Sequence, residues 1–326
     1  MNCKSCFTPV DGRSAVSCSE CQALLHKECA IKVDSTFSCD VCFTVATEKP
    51  KSKFGEFTLP EHVRRTHIET YRNCPYKFYL EVIKGNEMPP NEYTQVGSDL
   101  HILFEEAIAN YISIETMKNL FKERYWDTYT DDLFTFKTRD AMWKRAMDSI
   151  DTFYTILPNL QNTFALEETI FTNIGDDIPD VRITMDLITE HDGELDMHDW
   201  KTGRVMVGVK LSSDLQAPLY IYAVQKHFKK AVRSFTFYYL QENKTRVFVR
   251  STYNPEVYIC TVGKREYQIN LTDAIREVKS IFSRIKKADF NIPQEVRKMH
   301  FTCKMCHLQG MGLCSGADEQ SWYQKN

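Results

Sequence analysis

The stretch VRITMDLITEHDGELDMHDWKTG, residues 181–203, decides how the rest of the chain is read. Its two halves, VRITMDLITE and ELDMHDW, read as two strands. His191-Asp192-Gly193 separates them, and such turn chemistry between two strand-like runs predicts a β-hairpin. Side chains two apart on a strand share a face, so Asp199 and Lys201 converge on one spot. Asp186 stands thirteen residues before Asp199, on the neighbouring strand, and brings a second carboxylate to the same region.

Carboxylates of this kind suit magnesium or manganese. Such a metal polarises a phosphate and lowers the pKa of water, which is the chemistry phosphodiester hydrolysis needs. An ammonium beside it orients the water or offsets developing charge. An isolated Asp-x-Lys is far more often a surface ion pair, so the weight lies on its companions. His101 lies upstream in GSDLHILFEEA. Gln216 and Tyr220 follow downstream, four apart and therefore on one helical face. PLYIYAV also reads as plain core packing for Tyr220. Glu167 or Glu168 could add a further acid, and spacing does not choose between them.

Outward from the hairpin, helical and strand patterns alternate. Residues 97–112 carry Leu100, Leu103, Phe104 and Ala107 on one side of a helix. Residues 215–231 predict a second helix, and AIREVKSIFSRIKKADF a third. SFTFYYLQENKTRVFVRST predicts a hairpin around Glu242-Asn243-Lys244. This alternation implies an α/β core. Hydrophobic residues make up 43% and charged residues 26%, an ordinary globular balance. The formal net charge of −3 supplies no global attraction to nucleic acid, so any such contact needs local basic patches. Lys226, Lys229, Lys230 and Arg233 form one small cluster. Arg72, Tyr76, Lys77 and Tyr79 read either as part of a single-strand path or as packing. No apolar run is long enough for a bilayer, and no secretory leader is legible, so the expected location is the cytoplasm, the host's if the chain is viral. The Walker pattern GxxxxGK[ST] is absent, so a helicase motor would have to be a partner.

Twelve cysteines cluster at the two ends, with Cys74 and Cys260 between them. Their CxxC spacing is that of metal sites, not of disulfide scaffolds. Near the amino terminus run Cys3-x2-Cys6, Cys18-x2-Cys21, His26-x2-Cys29 and Cys39-x2-Cys42. Eight ligands satisfy two closed tetrahedral zinc sites, and about 45 residues bury too little core to fold without them. Residues 1–45 are thus expected to form a zinc domain and 46–58 a polar linker, with the α/β domain over 59–326. The ligand order resembles PHD-type cross-brace fingers of treble-clef kind. That resemblance assigns Cys3, Cys6, His26 and Cys29 to one zinc, and Cys18, Cys21, Cys39 and Cys42 to the other. A role in docking an unknown protein partner is expected of it. At the far end stand Cys303, Cys306 and Cys314. Cys260 reads as a packing residue.

THIETYRNCPYKFYL, GSDLH, the Asp186 strand, DWKTG, QAPLY and the terminal cysteines together resemble RecB-family nucleases of the PD-(D/E)XK superfamily over residues 59–314. The iron–sulfur members, CRISPR-associated adaptation exonucleases and AddB-type helicase–nuclease subunits, are the branch most similar. The resemblance implies a restriction-endonuclease-like α/β core with flanking helices. It implies that His101, Asp186, Asp199 and the Trp200 carbonyl hold the catalytic metal, with Lys201 as catalytic lysine. Gln216 and Tyr220 would support site and substrate. Cys74, Cys303, Cys306 and Cys314 would hold a 4Fe–4S cluster, although four thiolates also suit zinc. The activity implied is a metal-dependent DNA exonuclease or end-processing nuclease acting on single-stranded or frayed DNA. The alternative is a catalytically quiet DNA- or protein-binding adaptor that docks through its zinc finger.

Overall fold

The computed structural model describes residues 10, 15–19, 21–33, 36–39, 54–88, 90–291, 303 and 306–314. Cys3, Cys6, Cys42, residues 46–53 of the expected linker and the tail after Cys314 lie outside them. The chain divides into two compact units, Met1–Phe57 and Thr58–Asn326.

The first unit pairs β1 (Ala15–Ser17) with β2 (Leu24–His26), and β3 (Ile31–Val33) with β4 (Thr36–Ser38), both antiparallel. Its centre holds Cys18, Leu25 and Cys39, all fully buried. So small an apolar core is too little to offset the ordering of the chain.

The second unit is built on a mixed sheet. Among the described residues its strands are β5 (His62–Arg64), β6 (Thr163–Thr172), β7 (Asp180–His191), β8 (Glu194–Lys201), β9 (Val232–Tyr239), β10 (Lys244–Arg250), β11 (Val257–Val262) and β12 (Arg265–Asn270). Their order is β12-β11-β10-β9-β8-β7-β5, with β6 on β7 as well. β7 runs antiparallel to β6 and β8, whereas β8 is parallel to β9 and β5 is parallel to β7. The hairpin expected at 191–193 is present. Asp192 and Gly193 both take positive φ, 52° and 81°, as the tightest hairpin turn requires.

The helices are α1 (Arg65–Asn73), α2 (Glu92–Asn110), α3 (Ile114–Arg124), α4 (Arg139–Ile156), α5 (Gln216–Phe228) and α6 (Leu271–Lys286), with shorter turns between them. α2 starts earlier than its apolar periodicity suggests, because Asn91 caps it by accepting from the Tyr93 and Thr94 N–H groups. α5 stops at Phe228, where Lys229 adopts φ 56° and ends the helix three residues before β9.

Helices cover both faces of the sheet, which is why the middle of β7 is buried continuously instead of alternating. On one face α2, α3 and α4 pack Leu100, Leu103, Phe104, Phe121, Ile150 and Phe153 against Leu187 and Trp200 of the sheet. On the other lies α5, which packs on β6, β7 and β9 and against α6. Tyr71 of α1 donates to the carbonyl of Asp289 beyond α6, 2.7 Å away, tying the start of this unit to its last long helix. The architecture is therefore the mixed α/β sandwich expected from the sequence. No described helix is long and apolar enough to cross a membrane.

Candidate active site

The strand registers build the site. Leu166 pairs with Leu187 and Glu168 with Met185, which sets Glu167 opposite Asp186 across β6 and β7. Leu187 pairs with His198, so the next positions along the hairpin set Asp186 opposite Asp199. Directly opposed residues share a face, and three carboxylates therefore form a row across three strands. Glu167 and not Glu168 is the third acid. Its φ of 47° kinks β6 at that point. Ladder pairing between β7 and β8 ends at Leu187 and His198, and the Asp186 carboxylate takes over by accepting the Trp200 N–H at 2.6 Å.

The second carboxylate of the hairpin is held differently. Gln216, the first residue of α5, donates to Asp199 Oδ1 at 2.5 Å. Its amide oxygen accepts from Lys201 Nζ at 2.8 Å, and Lys201 Nζ lies 2.6 Å from Asp199 Oδ2. One glutamine thereby fixes the acid and the lysine at once. Asp214 anchors the start of α5 by accepting from the Gln216 N–H at 3.0 Å. Lys201 also lies over the Phe237 ring, 5.2 Å from its centre, so its apolar stem is packed while its ammonium reaches the carboxylates.

His101 enters from α2. Its Nδ1 lies 3.2 Å from Asp186 Oδ1. Ligand atoms of His101, Glu167 and Asp186 all lie within 4.8 Å of one another. Asp199 stands beside this group, engaged by Gln216 and Lys201. α2 comes this close to the loop after Lys201 because Gly97 carries no side chain. A Cβ there would sit 3.0 Å from Thr202 Oγ1.

The charges of the site are out of balance. Burial, then the neighbouring Asp186, pushes the Glu167 carboxyl up to about 7. Burial likewise lifts Asp199 to about 6, although Lys201 pulls it the other way. Burial disfavours charge on His101, but Asp186 outweighs it and holds the imidazolium up to about 9. Three acids thus share too little positive charge, and a proton on His101 supplies part of it. One nitrogen and several hard oxygen donors converging under such a deficit fit a divalent cation of the magnesium or manganese kind.

Tyr220 lies one turn along α5 from Gln216. Burial drives the ionisation of its phenol upward, and the nearby Arg65 guanidinium opposes this. The Trp200 ring points away from the acids, into the core between Phe104, Phe153 and Tyr238. Cys260 is buried in β11, as a packing residue should be.

Of the cysteine sites, Cys18, Cys21 and Cys39 bring their sulfurs within 4.8 Å of one another. The Cys21 and Cys39 sulfurs are 3.9 Å apart. Thiolates about 2.3 Å from a tetrahedral zinc stand roughly 3.8 Å apart, so this trio fits zinc. His26 and Cys29 lie nearby in sequence on β2 and the turn after it, where the Cys29 N–H donates to the His26 carbonyl. In the second unit Cys74 occupies the junction after α1. Burial raises its thiol, and Cys306 and Cys314 are close enough to raise it further. His307, next to Cys306, lies 3.3 Å from Glu81 and 3.4 Å from the Asn86 carbonyl. The terminal cysteine segment is thus seated on the turn that follows Cys74.

A family model described as the PD-(D/E)XK nuclease superfamily matches residues 65–311. No curated protein matches the chain.

Proposed function

Because the chain belongs to the PD-(D/E)XK nuclease superfamily, we propose that it is a metal-dependent deoxyribonuclease that processes single-stranded or frayed DNA ends. The observation that carries this reading is the row Glu167–Asp186–Asp199, with Lys201 coupled to it through Gln216. His101, Glu167, Asp186 and Asp199 would hold magnesium or manganese, with the Trp200 carbonyl as a further donor. When bound, the metal polarises the scissile phosphate and acidifies a water.

The protein's own groups do the rest. Lys201 holds its ammonium at the edge of the acid row, where it orients a water or offsets charge growing on the phosphate. Gln216 fixes Lys201 and Asp199 in one geometry, so neither has to reorganise as the reaction proceeds. Asp186 is pinned by the Trp200 N–H and leaves its other oxygen towards His101. Tyr220 and Arg65 border the site on the α5 side and contribute to substrate placement.

In the same reading this is a RecB-like member with a cysteine clasp. Cys74, Cys303, Cys306 and Cys314 hold a 4Fe–4S cluster with a structural role, closing a very long loop of chain. The first unit holds two zinc ions, one on Cys18, Cys21, Cys39 and Cys42, the other on Cys3, Cys6, His26 and Cys29, and docks a protein partner. Anaerobically purified protein incubated with Mn²⁺ and end-labelled DNA tests the substrate assignment. Shortening of single-stranded and frayed substrates from their ends is expected, and preferential internal cutting of blunt duplex would contradict it.

A further inference from the structure

The acid row is the first of three on the same face of β6 and β7. The same register sets Thr169 against Thr184 and Phe171 against Arg182. The two threonine hydroxyls are 3.0 Å apart. β5 extends the third row, because Arg64 pairs with Arg182 across the parallel ladder. Moving away from the acids, the face thus changes from carboxylates to hydroxyls to arginines with an exposed phenylalanine. At a rise of about 3.4 Å per residue, Thr184 lies roughly 7 Å and Arg182 roughly 14 Å along the strand from Asp186.

A cavity of about 290 Å³ opens here, lined by Arg64, Arg65, Thr66, Arg182, Thr184 and Tyr220. Arg65 is already engaged by Glu69 at 2.5 Å. Arg64 and Arg182 are exposed, and no carboxylate among the described residues forms an ion pair with either. Like charges directly opposed on neighbouring strands destabilise a sheet. An anion seated between them removes that cost, and two guanidinium forks with threonine hydroxyls beside them form the donor set that phosphate oxygens take. Phe171 is 47% exposed and its ring lies 4.4 Å from that of His62. An exposed aromatic face beside a phosphate clamp is the pairing that holds an unpaired nucleotide.

We propose that Arg64 and Arg182 form a phosphate-binding subsite for the substrate strand, one to two nucleotides from the scissile position, with Phe171 as the platform for a base of the same strand. This inference rests on the nuclease reading of the acid row. The subsite takes an internal phosphodiester, since both arginines are exposed on an open face and not enclosed around a chain end, while the next row along that face sets Asp180 opposite His62.

The test is binding of fluorescent single-stranded oligonucleotides to the full-length protein without divalent metal, read by anisotropy over a salt series. Each phosphate contact contributes a slope of about −0.7 in log K against log salt for single strands. R64Q and R182Q are each expected to weaken binding several-fold and to flatten that slope by about one contact, whereas R182K keeps the slope. F171A is expected to weaken binding with the slope unchanged. Oligonucleotides with and without a terminal phosphate should respond alike, and an effect confined to the phosphorylated one would overturn the internal assignment. An unchanged slope in the R64Q/R182Q double variant would overturn the subsite itself. Failure of the nuclease reading shows separately, as undiminished Mn²⁺-dependent cleavage by Lys201→Ala, and leaves the salt series interpretable.

Discussion

Gln216 bonds to both Asp199 and Lys201, and it is 4% exposed. Replacing it with leucine keeps the packing volume but takes the amide donor from the buried Asp199 Oδ1, at about 1–3 kcal/mol, and removes the acceptor that fixes Lys201. We expect Gln216→Leu to lower kcat by one to two orders of magnitude with KM little changed; a fall in apparent substrate affinity alone would show that it merely shapes the binding surface. Glu167→Gln keeps the shape of β6 and removes one carboxylate from the row. Calorimetric titration with Mn²⁺ should show weakened binding, and unchanged affinity would remove Glu167 from the ligand set. Asp186, Asp199 and Lys201 were legible because a strand's period of two and the hairpin bring them together, whereas His101, on α2, was named by its place in the order of motifs and by the family resemblance. Glu167 was not separable from Glu168, because the choice depends on which strand β6 opposes and on the backbone kink at Glu167. Arg64 and Arg182 carry no local signal at all, since their meeting depends on a pairing between strands more than a hundred residues apart.

The hairpin of β7 and β8 aligns two of the three acids, and its turn sets the register. At Gly193 nothing lies near a would-be Cβ, so the cost of a side chain is conformational alone. Gly193→Ala should destabilise the fold by about 1 kcal/mol, because φ there is 81°. Thermal unfolding measures this, and an unchanged midpoint would mean that the turn is not under that constraint. α2, which delivers His101, depends on Asn91 in the same manner, and Asn91→Ala should cost about 1 kcal/mol. Element existence was readable from periodicity and turn residues at both places. The π-helical turn Tyr79–Ile83 was not, nor was β5, which is three residues long and becomes a strand only through its partner β7.

At the scale of the molecule, the proposed zinc ions would hold the first unit together, whereas the second has a large apolar core. Removal of zinc with a strong chelator should unfold Met1–Phe57 and leave the melting transition of Thr58–Asn326 in place, because the latter has its own apolar core. Loss of both transitions would show that the second unit also depends on chelatable metal. The cysteine pairs were the plainest signal in the sequence, whereas the eight-stranded order of the sheet was not visible there, since long-range pairings leave no periodic trace. The central claim is that the acid row with Lys201 is a catalytic centre, and single-turnover cleavage of labelled single-stranded DNA with Mn²⁺ tests it most directly. The expected result is that Lys201→Ala and Asp186→Asn each slow cleavage by at least about 100-fold while DNA binding persists; rates equal to those of the unaltered protein would contradict the account.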